Sequence, residues 1–209
     1  MILPDRLLVV TDRHQAPRDL IDVVAAALAG GARWIWFRDR DLAAGERRDI
    51  ARRLRDLTRI YDAVLTIGGD AGLAVEVGTP AVHLSSIDDI GAARALLGAD
   101  ALIGFSAHNE AEVQAAKAAG ADYATLSPIF LTASKPGYGP ALGTATLQRV
   151  RAIGLPVIAL GGITSDRAPA CLAAGAAGVA VMGDVMRAED PEAVVLRFRA
   201  ALDRPLTAS

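Results

Sequence analysis

The chain has 209 residues, of which 52% are hydrophobic and 22% charged, and its formal net charge is −2. This length suits one α/β domain, the hydrophobic fraction excludes a disordered chain, and the near-neutral charge excludes a broad nucleic-acid surface. Cys171 is the only cysteine, so an internal disulfide is excluded. No apolar run is long enough to cross a bilayer and no leader-like segment is present, which predicts a cytoplasmic location without a membrane partner.

Eight short apolar runs recur along the chain, and each is continuously apolar, which is typical of strands buried on both faces. The predicted strands are Leu7–Val10, Trp34–Phe37, Val64–Ile67, Ala81–Leu84, Leu102–Phe105, Tyr123–Leu126, Val157–Leu160 and Val179–Met182. Helix-like segments follow them. They are Leu20–Leu28, Arg47–Ile60, the short segment Ala71–Val77, Ile90–Leu97, Ala111–Ala119, Thr146–Ile153, Arg167–Ala174 and Pro191–Leu202.

Strands that start about every 25 residues indicate βα units, and eight such units predict a closed (β/α)8 barrel, the TIM barrel. The barrel is expected to be a single domain over residues 1–209 with a disordered tail at 205–209. An open doubly wound sheet is the alternative. That fold usually carries a glycine fingerprint after its first strand, whereas the residues here are Thr11 to His14 without glycine.

In a barrel, the loops after the strands form the active face. The loop after strand seven contains Gly161, Gly162 and Ile163, and the loop after strand eight contains Gly183. Barrels frequently bind phosphate at these two loops, because glycine lets backbone N–H groups approach an anion. These residues therefore predict a phosphate site, with two ordinary tight turns as the alternative.

The longest loop, residues 127–143, follows strand six. It brings the hydroxyls of Thr132 and Ser134 next to the ammonium of Lys135. Such donors suit an anion with many oxygens, such as a diphosphate. A loop of this length in a compact domain is usually functional, although an irregular surface loop with an incidental lysine is the alternative.

Three further loops carry candidate side chains. After strand two, Arg38 and Arg40 alternate with aspartates, so both arginines point into the site or pair with those aspartates as a salt-bridge rim. After strand four, Asp88 is a metal ligand or a helix N-cap. After strand five, Ser106 lies at the strand mouth, and His108 is an acid/base group or a polar residue opening the next helix.

These motifs together resemble the thiamine phosphate synthase / TenI superfamily along nearly the whole chain. The matching residues, in family order, are Val82–Leu84 with Asp88, Gly104–His108, then Pro128, Phe130, Thr132, Ser134, Lys135, Leu142 and Gly143 in the long loop, then Gly161–Ile163 and Gly178–Val181. Several motifs in the same order are far more specific than any one alone.

The resemblance implies an enzyme that joins a hydroxymethylpyrimidine diphosphate to a thiazole phosphate, with Mg²⁺ holding the diphosphate. By position it implies that Arg38 and the loop residues Thr132, Ser134 and Lys135 bind diphosphate, and Arg40 is expected to be a further substrate-binding residue. Ser106 would contact the pyrimidine or diphosphate, and Asp88 would bind the Mg²⁺. The thiazole phosphate would bind at Gly161, Gly162, Ile163 and Gly183. The expected catalytic residues are Ser106, Lys135 and His108, the partners are small phosphorylated substrates, and a homo-oligomer is compatible with the sequence.

The chain departs from the synthase pattern across the mouth. Trp36 stands where the pattern has glutamine, Arg40 where it has lysine, and Gly68 and Gly69 where it has Asn-Asp. One expected Mg²⁺ carboxylate is therefore missing unless Asp70 takes its place. The TenI branch, a thiazole tautomerase, also lacks the full metal pair, but its catalytic histidine lies in the strand-six loop, where this chain has Pro128.

Three hypotheses follow: a synthase with altered pyrimidine recognition, a TenI-like tautomerase, and a paralogue that binds phosphate ligands without catalysis. The predicted diphosphate-binding loop at 127–143 favours the synthase. Gly68-Gly69 in place of Asn-Asp favours the other two hypotheses.

Overall fold

A computed structural model describes residues 2–131 and 140–203. Within those residues eight parallel strands close in sequence order into a barrel, with β1 paired to β8 through Leu7 and Val179. The strands are β1 Leu7–Val10, β2 Trp34–Phe37, β3 Val64–Gly68, β4 Ala81–Leu84, β5 Leu102–Ala107, β6 Tyr123–Leu126, β7 Val157–Leu160 and β8 Gly178–Val181. The predicted single-domain (β/α)8 barrel is confirmed.

Helices surround the barrel. They are α1 Leu20–Ala29, α2 Ala44–Ile60, α3 Ala71–Val77, α4 Asp89–Leu97, α5 Glu110–Ala118, α6 Gly143–Val150, α7 Ala168–Ala173, α8 Gly183–Met186 and α9 Pro191–Leu202. The predicted helix Thr146–Ile153 is instead α6 followed by a 3-10 turn at Arg151–Ile153. The short helix α8, directly after β8, was not predicted, because four residues are too few to show a helical period.

Two strand boundaries differ in ways that matter for the site. β5 continues to Ala107, because Ser106 and Ala107 pair with Thr125 and Leu126 of β6. Ser106 is therefore held inside the sheet, not at its edge. β8 begins one residue earlier than predicted, at Gly178, which pairs with Ile158.

The core has two parts. Mostly aliphatic side chains pack between the sheet and the helices. The barrel interior is different, because Trp34, Trp36 and Tyr123 lie there despite an aromatic content of 4%. The rings of Trp34 and Tyr123 meet edge to face, with centroids 4.8 Å apart. This packing fills the barrel and leaves a cavity above it, at the C-terminal ends of the strands.

No helix within the two described ranges is long and apolar enough to span a membrane.

Candidate active site

A cavity of about 700 Å³ opens at the C-terminal ends of the strands. It is bordered by loops that follow β1, β2, β4, β5, β6, β7 and β8. The structure brings together eight of the residues proposed from the sequence, namely Arg38, Arg40, Ser106, His108, Gly161, Gly162, Ile163 and Gly183. The proposed diphosphate residues Thr132, Ser134 and Lys135 lie outside the described residues, and their role stays a prediction.

The cavity floor is a buried polar chain that ends at Ser106. Tyr123 Oη lies 2.9 Å from Nδ1 of His83, and Nε2 of His83 lies 3.0 Å from Ser106 Oγ. Trp36 stacks on the His83 ring, with centroids 3.9 Å apart. Burial lowers the pKa of His83 to about 3 and raises that of Tyr123 well above its usual value.

These pKa directions keep the His83 ring neutral and the Tyr123 hydroxyl protonated. One ring nitrogen of His83 therefore donates and the other accepts, and the ring links Tyr123 Oη to Ser106 Oγ. Ser106 lines the cavity, so this link holds its hydroxyl at the cavity floor. His83 and Tyr123 were given no role from sequence. The available signal was a polar residue inside an otherwise apolar strand, at the alternate positions that face inward.

Arg38 and Arg40 both line the cavity, and their aspartate neighbours do not neutralise them. Buried Asp39 accepts hydrogen bonds from Thr11 Oγ1 at 2.5 Å and from the backbone N–H of Arg13 at 2.7 Å. Asp41 instead binds Arg13. The salt-bridge rim considered for Arg38 and Arg40 is therefore wrong, because another arginine takes both carboxylates.

The Asp41 carboxylate forms a bidentate pair with Arg13, at 2.6 and 2.8 Å, and lies 2.7 Å from Nε2 of His14. The Arg13 guanidinium and then His14 hold the pKa of Asp41 well below its usual range. This cluster forms part of the cavity rim, because His14 and Asp41 are both lining residues.

Arg40 occupies space left by a glycine. A Cβ on Gly69 would lie 2.6 Å from Cζ of Arg40, and Gly69 has a φ of +69° that strongly favours glycine. Nη1 of Arg40 donates to Ser85 Oγ at 3.2 Å. Burial, followed by repulsion from Arg47 and Arg38, lowers the pKa of Arg40.

Gly68 makes room in the same way for an aromatic ring. A Cβ there would lie 2.9 Å from Nε1 of Trp36. The two glycines at the end of β3 therefore make room for two large side chains at the end of β2, Gly68 for Trp36 and Gly69 for Arg40.

Asp70 does not replace the missing metal carboxylate. Its Oδ1 accepts from the backbone N–H of Leu73 at 2.8 Å and caps α3, and its Oδ2 accepts from Nη1 of Arg47 at 3.0 Å. Asp88 is exposed, makes no side-chain cap to α4, and is absent from the cavity lining. Asp88 therefore stands at the N-cap position of α4, as one interpretation of the sequence expects, but does not cap the helix through its side chain.

The described donor set does not fit the Mg²⁺ implied by the sequence. No cluster of three or more His, Cys, Asp or Glu side chains that could hold a metal ion occurs in residues 2–131 and 140–203. With Asp70 engaged elsewhere and Asp88 outside the cavity wall, the hard carboxylate oxygens that Mg²⁺ prefers are not gathered at its expected position.

At the opposite side of the mouth, Gly161 and Gly162 turn the chain with φ values of +96° and +62°. Gly183 begins α8, and the Arg187 guanidinium lies over it, with Nη2 2.6 Å from where a Gly183 Cβ would be. Arg187 lines the cavity and donates to Oε1 of Gln15. Sequence reasoning missed it. The available signal was a basic residue four positions after Gly183, near the loop predicted to bind phosphate.

His108 lines the cavity beside the strand-six loop. Its Nδ1 lies 3.0 Å from the carbonyl oxygen of Ser127, the residue before Pro128. Asn109, not His108, caps α5, because its side chain accepts from the backbone N–H of Glu112 at 2.9 Å. Of the two interpretations of His108, the structure supports a side chain in the site.

A closed (β/α)8 barrel with an arginine-lined cavity at the C-terminal ends of its strands defines the class, a barrel enzyme with its active site at that face. Residues 7–185 match the family model described as thiamine monophosphate synthase, and the chain belongs to that family.

Named relatives agree with this membership. A thiamine-phosphate synthase from Nitrosococcus oceani is 39% identical, with 92% of this chain and 90% of that one covered. One from Marinobacter nauticus is 42% identical, with 85% and 81% covered. The solved structure of a thiamine phosphate pyrophosphorylase from Pyrococcus furiosus is similar at a TM-score of 0.85 and 31% identity, covering 95% of both chains.

Proposed function

We propose that this protein couples hydroxymethylpyrimidine diphosphate with thiazole phosphate to give thiamine phosphate and diphosphate. Membership of the synthase family over most of the chain is the observation that carries the proposal. In the reaction, the bond between the pyrimidine methylene carbon and the diphosphate oxygen breaks, and diphosphate keeps the electron pair. The thiazole nitrogen lone pair then forms the new bond to the methylene carbon.

Such a reaction needs little proton transfer. It needs positive charge on the leaving diphosphate and a site that excludes water. We assign the leaving group to the Arg38 and Arg40 side, together with the predicted Thr132, Ser134 and Lys135. The Ser106 hydroxyl, held by His83 at the cavity floor, contacts the pyrimidine or the diphosphate.

We assign the thiazole phosphate to the opposite side, at Gly161, Gly162, Ile163 and Gly183. The Arg187 guanidinium over Gly183 supports this division, because a guanidinium is a strong donor to phosphate oxygens. Trp36 stands in place of the glutamine of the synthase pattern, so the pyrimidine meets an indole edge and a serine hydroxyl on the cavity floor. The homo-oligomer and the cytoplasmic location stay predictions.

The test is an assay of purified full-length protein with both substrates, with thiamine phosphate measured by chromatography. We expect product whose rate is proportional to enzyme concentration. No thiamine phosphate at high enzyme concentration, with or without added Mg²⁺, would contradict the proposal. Loss of product in an Arg38→Gln variant, with Arg53→Gln as the surface control, would tie activity to the cavity.

One observation favours a second candidate, a thiazole tautomerase. The His108 ring is hydrogen-bonded to the carbonyl of Ser127. An imidazole therefore lies beside the strand-six loop position where the tautomerases of the TenI branch carry their catalytic histidine. The discriminating measurement is exchange of solvent deuterium into thiazole phosphate, followed by NMR. Exchange that is lost in His108→Gln, without any thiamine phosphate synthesis, would favour the tautomerase.

A further inference from the structure

We propose that the guanidinium groups of Arg38 and Arg40 bind diphosphate directly, so that diphosphate binding to this enzyme does not require a divalent cation. The inference rests on the proposed function and identifies what holds the leaving group at that site.

The first argument is unpaired charge. Arg38 and Arg40 both line the cavity, and neither forms an ion pair with a carboxylate in the described part of the chain. Their contacts there are weak, since Nη1 of Arg38 lies 3.6 Å from Sδ of Met182 and Nη1 of Arg40 lies 3.2 Å from Ser85 Oγ. Most of their N–H donors are therefore available to a ligand. A guanidinium matches diphosphate oxygens in pairs, which a lysine ammonium does not.

The second argument is exclusion. With Arg40 where it is, a Cβ at position 69 would lie 2.6 Å from its Cζ and 2.8 Å from its Nε. A carboxylate side chain at that position and the observed Arg40 guanidinium cannot occupy the same space. The guanidinium thus takes the place of a group that would otherwise hold a metal ion, and it brings its own positive charge there.

The third argument concerns the neighbouring carboxylates. Asp39 and Asp41 line the cavity but are bound to Thr11 and Arg13, and Asp70 is bound to Arg47 and the start of α3. Asp12 accepts from the side chain of Gln15 at 2.7 Å. These carboxylates are already hydrogen-bonded within the protein, so we expect them to compete only weakly with diphosphate for Arg38 and Arg40.

The fourth argument is like-charge repulsion. Arg38 and Arg47 disfavour the charged form of Arg40, and partial burial does so more strongly. A bound polyanion removes this repulsion, so part of the binding free energy comes from relief of an unfavourable arrangement already present in the free protein.

The experiment is calorimetric titration of the full-length chain with inorganic diphosphate, in EDTA and in excess MgCl2. We expect the two dissociation constants to agree within about threefold. In EDTA, Arg40→Gln should weaken binding about tenfold to a hundredfold, because each charged hydrogen bond contributes strongly. Arg53→Gln, on the exposed face of α2, should leave it unchanged. Binding detected only with Mg²⁺, or unchanged affinity in Arg40→Gln, would overturn the inference.

A parallel activity measurement separates this inference from the proposed function. Diphosphate binding in EDTA without thiamine phosphate synthesis in either buffer would support the arginine site and contradict the proposed reaction. Synthesis that needs Mg²⁺, with no diphosphate binding in EDTA, would overturn the arginine site and leave the reaction in place.

Discussion

Two Gly-Gly pairs lie at the C-terminal ends of strands of this barrel, and they serve different purposes. Gly161 and Gly162 after β7 pack against backbone, because a Cβ on Gly161 would lie 2.8 Å from Cα of Pro128. Gly69 after β3 packs against the Arg40 side chain alone, and Gly68, the last residue of β3, packs against both Nε1 of Trp36 and the backbone of Phe37. The β7 pair therefore shapes the main chain of the mouth, whereas the β3 pair admits functional side chains. The same dipeptide in a sequence does not reveal which of these it does.

The largest expected effect is on the β7 pair. Gly162→Ala should lower the free energy of unfolding by about 2–5 kcal/mol, because it adds left-handed strain and forces a Cβ into the backbone of Leu131 and the Cβ of Phe130. The matched variant Gly69→Ala should cost only about 1–2 kcal/mol, the left-handed strain, because the flexible end of Arg40 can move away. Urea unfolding of both variants checks this, and equal destabilisation would remove the distinction between the two pairs.

The second prediction concerns pH and the cavity floor. His83 has a folded-state pKa of about 3, below its ordinary value of 6.5, because burial opposes its charge. The unfolded chain therefore takes up a proton that the folded chain refuses, and stability falls as pH drops from 6.5 toward 3. The slope from this one residue is about 1.4 kcal/mol per pH unit.

The measurement is urea unfolding over that pH range, for the wild-type chain and for His83→Gln. Other groups titrate in both proteins, so the difference between the two curves isolates His83. Curves that run parallel from pH 6.5 to 3 would show that the imidazole is not held neutral.

The sequence was sufficient for the fold because each strand is a continuous apolar run. It was sufficient to place Arg38, Arg40 and Ser106 at the cavity because the C-terminal ends of barrel strands converge there. It was insufficient where a role depends on a neighbour in space. The fate of the aspartates beside Arg38 and Arg40 depends on Arg13, which comes from the loop after β1. The partner of Gly183 is Arg187, which directly follows a helix too short to predict. Asp88 has the right sequence position but lies outside the cavity wall.

The third prediction tests the division of charge between the two sides of the mouth. Arg187→Gln should weaken thiazole phosphate binding about tenfold to a hundredfold, because it removes a charged donor over Gly183. Its effect on diphosphate binding should be within about twofold. Calorimetry with each ligand alone measures both values, and Arg40→Gln is the reciprocal control. If either variant weakened both ligands equally, the two sides would not be separate subsites.

The smallest expected effect is at the floor between the two sides. Ser106→Ala should lower kcat/KM about tenfold, because it removes the hydroxyl that His83 holds at the cavity floor. Ser86→Ala, in a neighbouring loop but outside the cavity lining, is the control.

A double-mutant cycle separates the effect of the His83–Ser106 hydrogen bond on kcat/KM from a simple loss of packing. In a His83→Gln background the serine hydroxyl is no longer oriented by a neutral imidazole, so Ser106→Ala should cost less there than in the wild-type chain. If the losses in kcat/KM were strictly additive, His83 would support the barrel interior without positioning the Ser106 hydroxyl. The hydrogen bonds from Tyr123 through His83 to Ser106 would then contribute nothing to the reaction, unlike the two sides of the mouth.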